Sequence, residues 1–197
     1  MFLALAGKGK FDFLELWSGS GHLSLCASQL GLSTGPPIDL KTGYDLNTFE
    51  GQRKAWKVIY EGQPSTIFMA IVCSPWSNLQ NINNREQVMK KRRMIMPMVR
   101  FCVEVALYQI SLGRKFIIEN PETFRIWQTK EFRMLSMKNG VTWNVTDMCR
   151  HGMKDPFTKL PYKKGTCLMR NFLKDLSILC SYDVEPKQDT HMTSMKR

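Results

Sequence analysis

Apolar and polar positions fall in blocks along the chain, and each block carries the period of one kind of element. FDFLELW (Phe11–Trp17) is apolar with aromatic and short acidic interruptions, which predicts a buried strand. It runs through SGSG into HLSLCASQLGL, where Leu23, Cys26, Ala27 and Leu30 recur at helical spacing; a helix ending at Gly31 is expected there. GPPIDL predicts a short strand closed by Asp39, FEGQRKAWKVIY a helix, and STIFMAIV a strand leading to Cys73. After the polar stretch SNLQNINNREQ, MVRFCVEVALYQISLG predicts a helix starting near Pro97. KFIIEN reads as another buried strand and PETFRIWQTKEFRMLSMKNG as helical. From Val141 onward the pattern loosens into short strands and loops rich in Lys, Gly and Pro.

Strands alternating with helices predict βαβ units, a mainly parallel twisted sheet and helices on both faces, hence an α/β fold. In such sheets ligands bind at the carboxyl ends of the strands. Four features fall there: Ser18–Gly21, Asp39, Cys73 and Glu119-Asn120. The expected organisation is a core over residues 1–142, a small irregular basic C-terminal region over 143–184 that is a candidate for target recognition, and a flexible tail over 185–197.

Composition sharpens this. With 197 residues, 43% hydrophobic and 23% charged, the chain has the size and balance of a globular domain. A formal net charge of +11 suggests a polyanionic partner, nucleic acid before membrane. The six cysteines show no paired spacing, which fits free thiols in a reducing compartment. The start MFLALAG is too short and too lightly charged for a signal peptide, and no apolar run approaches the length that spans a bilayer, so a soluble intracellular protein is expected, nuclear in a eukaryotic host. A monomer or weak oligomer is expected. Cys149, His151, Cys167 and Cys180 fit no C-x-x-C pair, and no metal is expected.

The turn ELWSGSGHLSL lets Gly19 and Gly21 take positive φ and bring backbone close to a ligand. It lacks the third glycine of G-x-G-x-x-G, which argues against a dinucleotide. Asp39 follows 20 residues after Gly19, where an acid accepts hydrogen bonds from ribose hydroxyls, and Asp45 is placed to take an adenine amino proton. Together they predict a nucleoside cofactor.

These residues carry a family resemblance. E-x-x-x-G-x-G, an acid ending the second strand and then GYDL resemble the S-adenosylmethionine site of Rossmann-like class I methyltransferases. CSPWS followed by IIENP resembles the catalytic pair of DNA cytosine-5 methyltransferases, Pro-Cys-x-x-Phe-Ser and Glu-Asn-Val, in the same order along the chain. SPWSNLQNIN, ENPETFRIW and DMCRHGMKDP…YKKGT resemble short, divergent methyltransferase-like proteins of phages and mobile elements. The resemblance implies S-adenosyl-L-methionine as cofactor, lined by Glu15, Leu16, Trp17, Gly19, Gly21, Asp39, Leu40, Asp45 and Leu46. It implies Cys73, Glu119 and Asn120 as catalytic residues, with Ser77 on the substrate side. The chain departs from the family in Ile71-Val72 where it has prolines and in Glu-Asn-Pro for Glu-Asn-Val, and neither the family's C-terminal strand and helix nor its large target-recognition domain is recognisable in the sequence. The chemistry joins these residue types. A thiolate adding to carbon 6 of cytosine, with a proton supplied at nitrogen 3, makes carbon 5 nucleophilic enough to take a methyl group. Cys73 would be that thiolate, its pKa lowered by net positive charge and a helix N-terminus, and Glu119 the acid, its pKa raised by burial.

The segment Lys90, Lys91, Arg92, Arg93 is read as a phosphate grip beside a flipped base, with a solvated helix face or a nuclear import signal as the other readings. Lys163 and Lys164 in the loop KDPFTKLPYKKGT add candidate contacts to DNA, RNA not being excluded. Two further readings compete: transfer to an exocyclic amino group, and a methyltransferase-like protein that binds nucleic acid without turnover.

Overall fold

The computed structural model describes residues 9–77, 80 and 82–172. The expected tail over 185–197, the end of the C-terminal region and the apolar start lie outside the described residues. Three strands, β1 (Phe13–Leu16), β2 (Thr66–Met69) and β3 (Lys115–Pro121), pair in parallel. A fourth and fifth, β4 (Thr142–Asp147) and β5 (Gly165–Arg170), complete a sheet of order β1-β2-β3-β5-β4, with β5 antiparallel to both neighbours. Parallel neighbours need crossovers, and helices supply them: α1 (His22–Gln29) and α2 (Phe49–Gly62) between β1 and β2, α3 (Arg85–Ser111) between β2 and β3. α4 (Lys130–Ser136) follows β3. The α/β, Rossmann-like class expected from the alternation is the one the chain adopts.

The pleat sorts the strand residues. Leu14, Leu16, Ile67, Met69, Phe116 and Ile118 are fully buried on the face that α3 covers, where Cys102 Sγ meets Met69 Sδ at 3.7 Å. Trp56 of α2 packs edge-on against Phe101 and Tyr108 of α3, locking the two helices together. Trp127 and Phe132 join the stretch after β3 to Trp143 of β4 on that face. α1 sits on the opposite face.

The helical stripe read in α1 differs from the buried one. Only Ser24 and Ala27 are buried, while Leu23, Leu25 and Leu30 are 40%, 55% and 80% exposed. The cause is Glu15, 5% exposed, whose carboxylate takes hydrogen bonds from Ser24 N and Oγ and turns the Ser24–Ala27 side to the sheet. α3 begins at Arg85, twelve residues before the expected start at Pro97, because Asn84 caps it by accepting from Glu86 N and Gln87 N. Pro97 therefore lies inside the helix, where it removes one intrahelical donor. The resulting helix is long and apolar enough to cross a bilayer, but its Val99–Ala106 stretch is largely buried against the sheet. PETFRIWQTKEF is broken, not continuous: a 3-10 turn over Arg125–Gln128 precedes α4, whose N-cap Thr129 is extended.

The segment GPPID lies beside β1 but makes only isolated parallel bridges, Phe13 with Thr34 and Leu16 with Ile38. Pro36 and Pro37 have no N–H, so regular pairing stops there. The boundary drawn after residue 142 falls inside β4, and residues 142–147 and 165–170 belong to the main sheet. Buried polar residues disguised these strands: Asn144, Thr146, Asp147, Thr166 and Arg170 are all below 9% exposed. Arg170 Nε donates to Asn144 Oδ1 across the pair.

Candidate active site

The carboxyl edge of the sheet begins at the glycine turn. Trp17, Gly19 and Gly21 all have left-handed backbone, with φ of 55°, 58° and 69°. For Trp17 this conformation is costly, which marks a turn imposed by its surroundings. A Cβ at Gly19 would meet nothing within 4 Å, so this side of the turn is open. Gly19 N donates to Asp39 Oδ2 at 2.9 Å, and Lys41 N to Asp39 Oδ1 at 3.0 Å. Asp39 thus clips the two loops together and keeps a further lone pair on each oxygen for a ligand. Leu40 is 70% exposed beside it, and Asp45 accepts from Asn47 N, leaving its other oxygen. Leu16 and Leu46, 0% and 2% exposed, are buried in the core. Glu15 spends one oxygen on Ser24 and holds the start of α1 in place.

Cys73 lies in a loop four residues past the end of β2, because the strand stops at Met69 instead of running to Val72 as expected. Three hydrogen bonds fix that loop. Asn120 Nδ2 donates to Ile71 O at 3.3 Å, Trp76 N to Cys73 O at 2.9 Å, and Arg92 Nε to Pro75 O at 2.9 Å. Ser77 closes the 3-10 turn Ser74–Trp76 through its N–H to Ser74 O. Pro75 and Trp76 are buried beneath it, and so is Ile71.

The electrostatics bring three groups together. Burial pushes the Cys73 thiol above its ordinary range, the nearby Glu119 charge pushes it further, and Lys164 and a backbone hydrogen bond oppose them. Burial raises Glu119 as well, against Lys164. The rise for Glu119 is the one the expected acid role requires. The rise for Cys73 reverses the expectation of an activated thiolate: the loop supplies only a three-residue turn in place of a helix N-terminus, and desolvation outweighs Lys164. Cys167, adjacent on β5, is pushed up to about 12 by burial and by Glu122 and Glu119.

Buried polar atoms at this edge lack partners: Trp17 Nε1, Ser18 Oγ, Asn120 Oδ1 and Thr166 Oγ1. They come from the end of β1, the end of β3 and the start of β5, where Thr166 pairs with Pro121. Orphaned groups of this kind carry a desolvation cost that a polar ligand would offset. Thr166 was not singled out in sequence, and Lys164 was read only as a backbone contact; their places at the site depend on β5 pairing with β3, which local patterning does not encode. Lys90, Lys91 and Arg93 are exposed on α3, whereas Arg92 is half-buried and committed to the loop; Lys163 is exposed, and Lys164 is half-buried by the site.

No protein-family model and no curated protein matches the sequence. Among solved structures, the chain is similar to the S. pombe Dnmt2 methyltransferase, with a TM-score of 0.46 and 13% identity over 85% of this chain and 52% of that one. The chain thus spans about half the length of that structure, and the likeness is one of overall chain trace.

Proposed function

We propose that the protein is an S-adenosylmethionine-dependent methyltransferase acting at carbon 5 of cytosine in nucleic acid, DNA before RNA. The observation that supports this most is the meeting of Cys73, Glu119 and Lys164 at the carboxyl edge, next to an open glycine turn and four orphaned polar atoms. The residues fit the cofactor: Gly19 leaves space for it, Asp39 keeps acceptors for its ribose, Asp45 one for its adenine, and Trp17 Nε1 and Ser18 Oγ are donors without partners. When bound, it supplies an electrophilic methyl group.

The chain's own groups do the rest. Cys73 gives its thiol proton to solvent and its Sγ bonds to carbon 6, while Glu119 gives its own proton to ring nitrogen 3 and becomes a carboxylate, so the ring gains one sulfur and one hydrogen without net charge. A protonated Glu119 also removes the negative charge that opposes the thiolate, and Lys164 favours it. Asn120 holds the end of β3 to Ile71 and so fixes Glu119 relative to the Cys73 loop. After methyl transfer, the carbon 5 proton and the thiolate leave and the nitrogen 3 proton returns to Glu119, which restores the neutral aromatic ring.

The test is mass spectrometry of nucleosides after incubation of DNA with labelled cofactor, together with trapping on a duplex carrying 5-fluorocytosine. Label in 5-methylcytosine and an adduct lost in Cys73→Ala are expected, with cofactor binding retained. Asp39→Ala should weaken cofactor binding by about 1.5–3 kcal/mol, as for a lost hydrogen bond to a charged group. Methylation that persists in Cys73→Ala would overturn the thiol mechanism. Label in methyladenine or N4-methylcytosine would favour exocyclic transfer. The raised thiol and the missing prolines favour one second reading, a methyltransferase-like protein that binds cofactor and nucleic acid without turnover. Binding of both with neither adduct nor label would establish it.

A further inference from the structure

Beside the Cys73 loop lies a cleft of about 360 Å³ walled by Arg85, Arg92, Arg125, Gln80 and Asn83, with Val88 at its base. Three guanidinium groups from two separate elements therefore share one concavity: Arg85 and Arg92 from α3, Arg125 from the turn after β3. Arg92 is held down by burial and by the Arg125 charge, which places the two cations within each other's field. Among the described residues none of the three has an ion-pair partner, and no carboxylate lines the cleft. Like charges gathered without a counter-ion raise the energy of the free protein, and an anion seated between them would lower it. Arg92 is also oriented in advance. Its Nε is fixed to Pro75 O, two residues from Cys73, which leaves the donors of its terminal nitrogens free.

We propose that this cleft seats a backbone phosphate of the nucleic acid whose base enters the Cys73 site. The inference rests on the nucleic-acid reading given above and names the contact. Guanidinium forks match phosphate oxygens in pairs. The amides of Gln80 and Asn83 add uncharged donors on the same walls, and the exposed Lys90, Lys91 and Arg93 extend the positive field along the outer side of α3. A phosphate held through Arg92 would bear directly on Pro75, so binding of the backbone and placement of the thiol loop are one event.

The experiment is fluorescence anisotropy of a short labelled duplex over a salt series, with wild type, Arg85→Ala/Arg125→Ala and Lys90→Ala/Lys91→Ala. Arg85 and Arg125 are exposed and make no described side-chain hydrogen bond, and removing them relieves repulsion with Arg92, so the melting temperature of that variant should be no lower than wild type and confirm folding. Losing the seat should cut affinity roughly tenfold and flatten the log–log salt slope by about one, the effect of one lost phosphate contact. The arginine pair should raise the KM for methylation as well as flatten the slope, and the lysine pair, which lies outside the cleft, should have the smaller effect on both. An unchanged slope and affinity in the arginine variant, or a wild type that binds no duplex at low salt, overturns the proposal. Calorimetry with S-adenosylmethionine separates the two readings. Arginine-dependent duplex binding without cofactor binding leaves the phosphate seat standing and removes the methyltransferase reading. Methylation by wild type with full activity in the arginine variant does the opposite.

Discussion

Ser24→Ala probes the joint between β1 and α1 on which the glycine turn depends. Ser24 Oγ and N donate to the same Glu15 oxygen at 2.7 and 2.9 Å, and the two residues are 7% and 5% exposed. The substitution deletes the hydroxyl donor and leaves the backbone one. A hydrogen bond to a charged group contributes about 1.5–3 kcal/mol, and Ala exceeds Ser as a helix former by about 0.5 kcal/mol, so the net loss should be about 1–2.5 kcal/mol. For a chain of this size each kcal/mol shifts Tm by about 2–4 °C, which predicts a fall of about 2–10 °C in a thermal melt. Cofactor affinity should fall with it, because Glu15 sets how β1 enters the turn that carries Gly19 and Gly21. Combining Ser24→Ala with Glu15→Gln should give a coupling energy of about 1 kcal/mol, since the two changes act on one interaction. A Tm within about 1 °C of wild type would show that the hydroxyl adds nothing to the joint, and additive losses would show that the two residues act separately.

The remaining predictions concern the thiol and its acid. Because the Glu119 charge pushes Cys73 up, Glu119→Gln should speed alkylation of Cys73 by iodoacetamide at mildly alkaline pH, read by peptide mass spectrometry with exposed Cys26 as internal standard; an unchanged ratio would place the two groups out of electrical reach. Glu119 itself has a raised folded-state pKa, so its linkage runs against most carboxylates. Below its ordinary value of 4.5 both states hold the proton, and above it the unfolded chain releases the proton first. Stability should therefore fall as pH rises from there and level off once the folded carboxyl ionises. Glu119→Gln should flatten that part of a stability–pH profile, and an identical slope in the variant would refute the assignment.

The fold was legible where a period of two or 3.6 coincided with burial, and illegible where polar groups did the packing. β1, β2 and β3 stand out because Leu14, Ile67 and Phe116 lie in short, mainly apolar runs bounded by polar or turn residues. β4 and β5 do not, because Asn144, Thr146 and Arg170 are buried as polar residues. The α1 stripe misled because one carboxylate, Glu15, outweighed three leucines in deciding which side faces the sheet. α3 was cut short because Pro97 reads as a start, whereas Asn84 caps the helix earlier. At the site, the glycine turn, Asp39, Cys73 and Glu119 were each readable as motifs. The opposing pull of Glu119 and Lys164 on Cys73 was not, since Lys164 reaches the edge only through the antiparallel pairing of β5.

Pro36 and Pro37 have an effect on how this molecule meets its neighbours. They occupy the segment that borders β1, and with two consecutive residues unable to donate, that border offers little for a foreign strand to pair with. The far border is different. Among the described residues β4 is bonded only to β5, and its other side carries the regular donors and acceptors of a six-residue strand. Strand addition, whether by a peptide ligand or by another copy during aggregation, is thereby directed to the β4 border, on the opposite side of the sheet from the glycine turn.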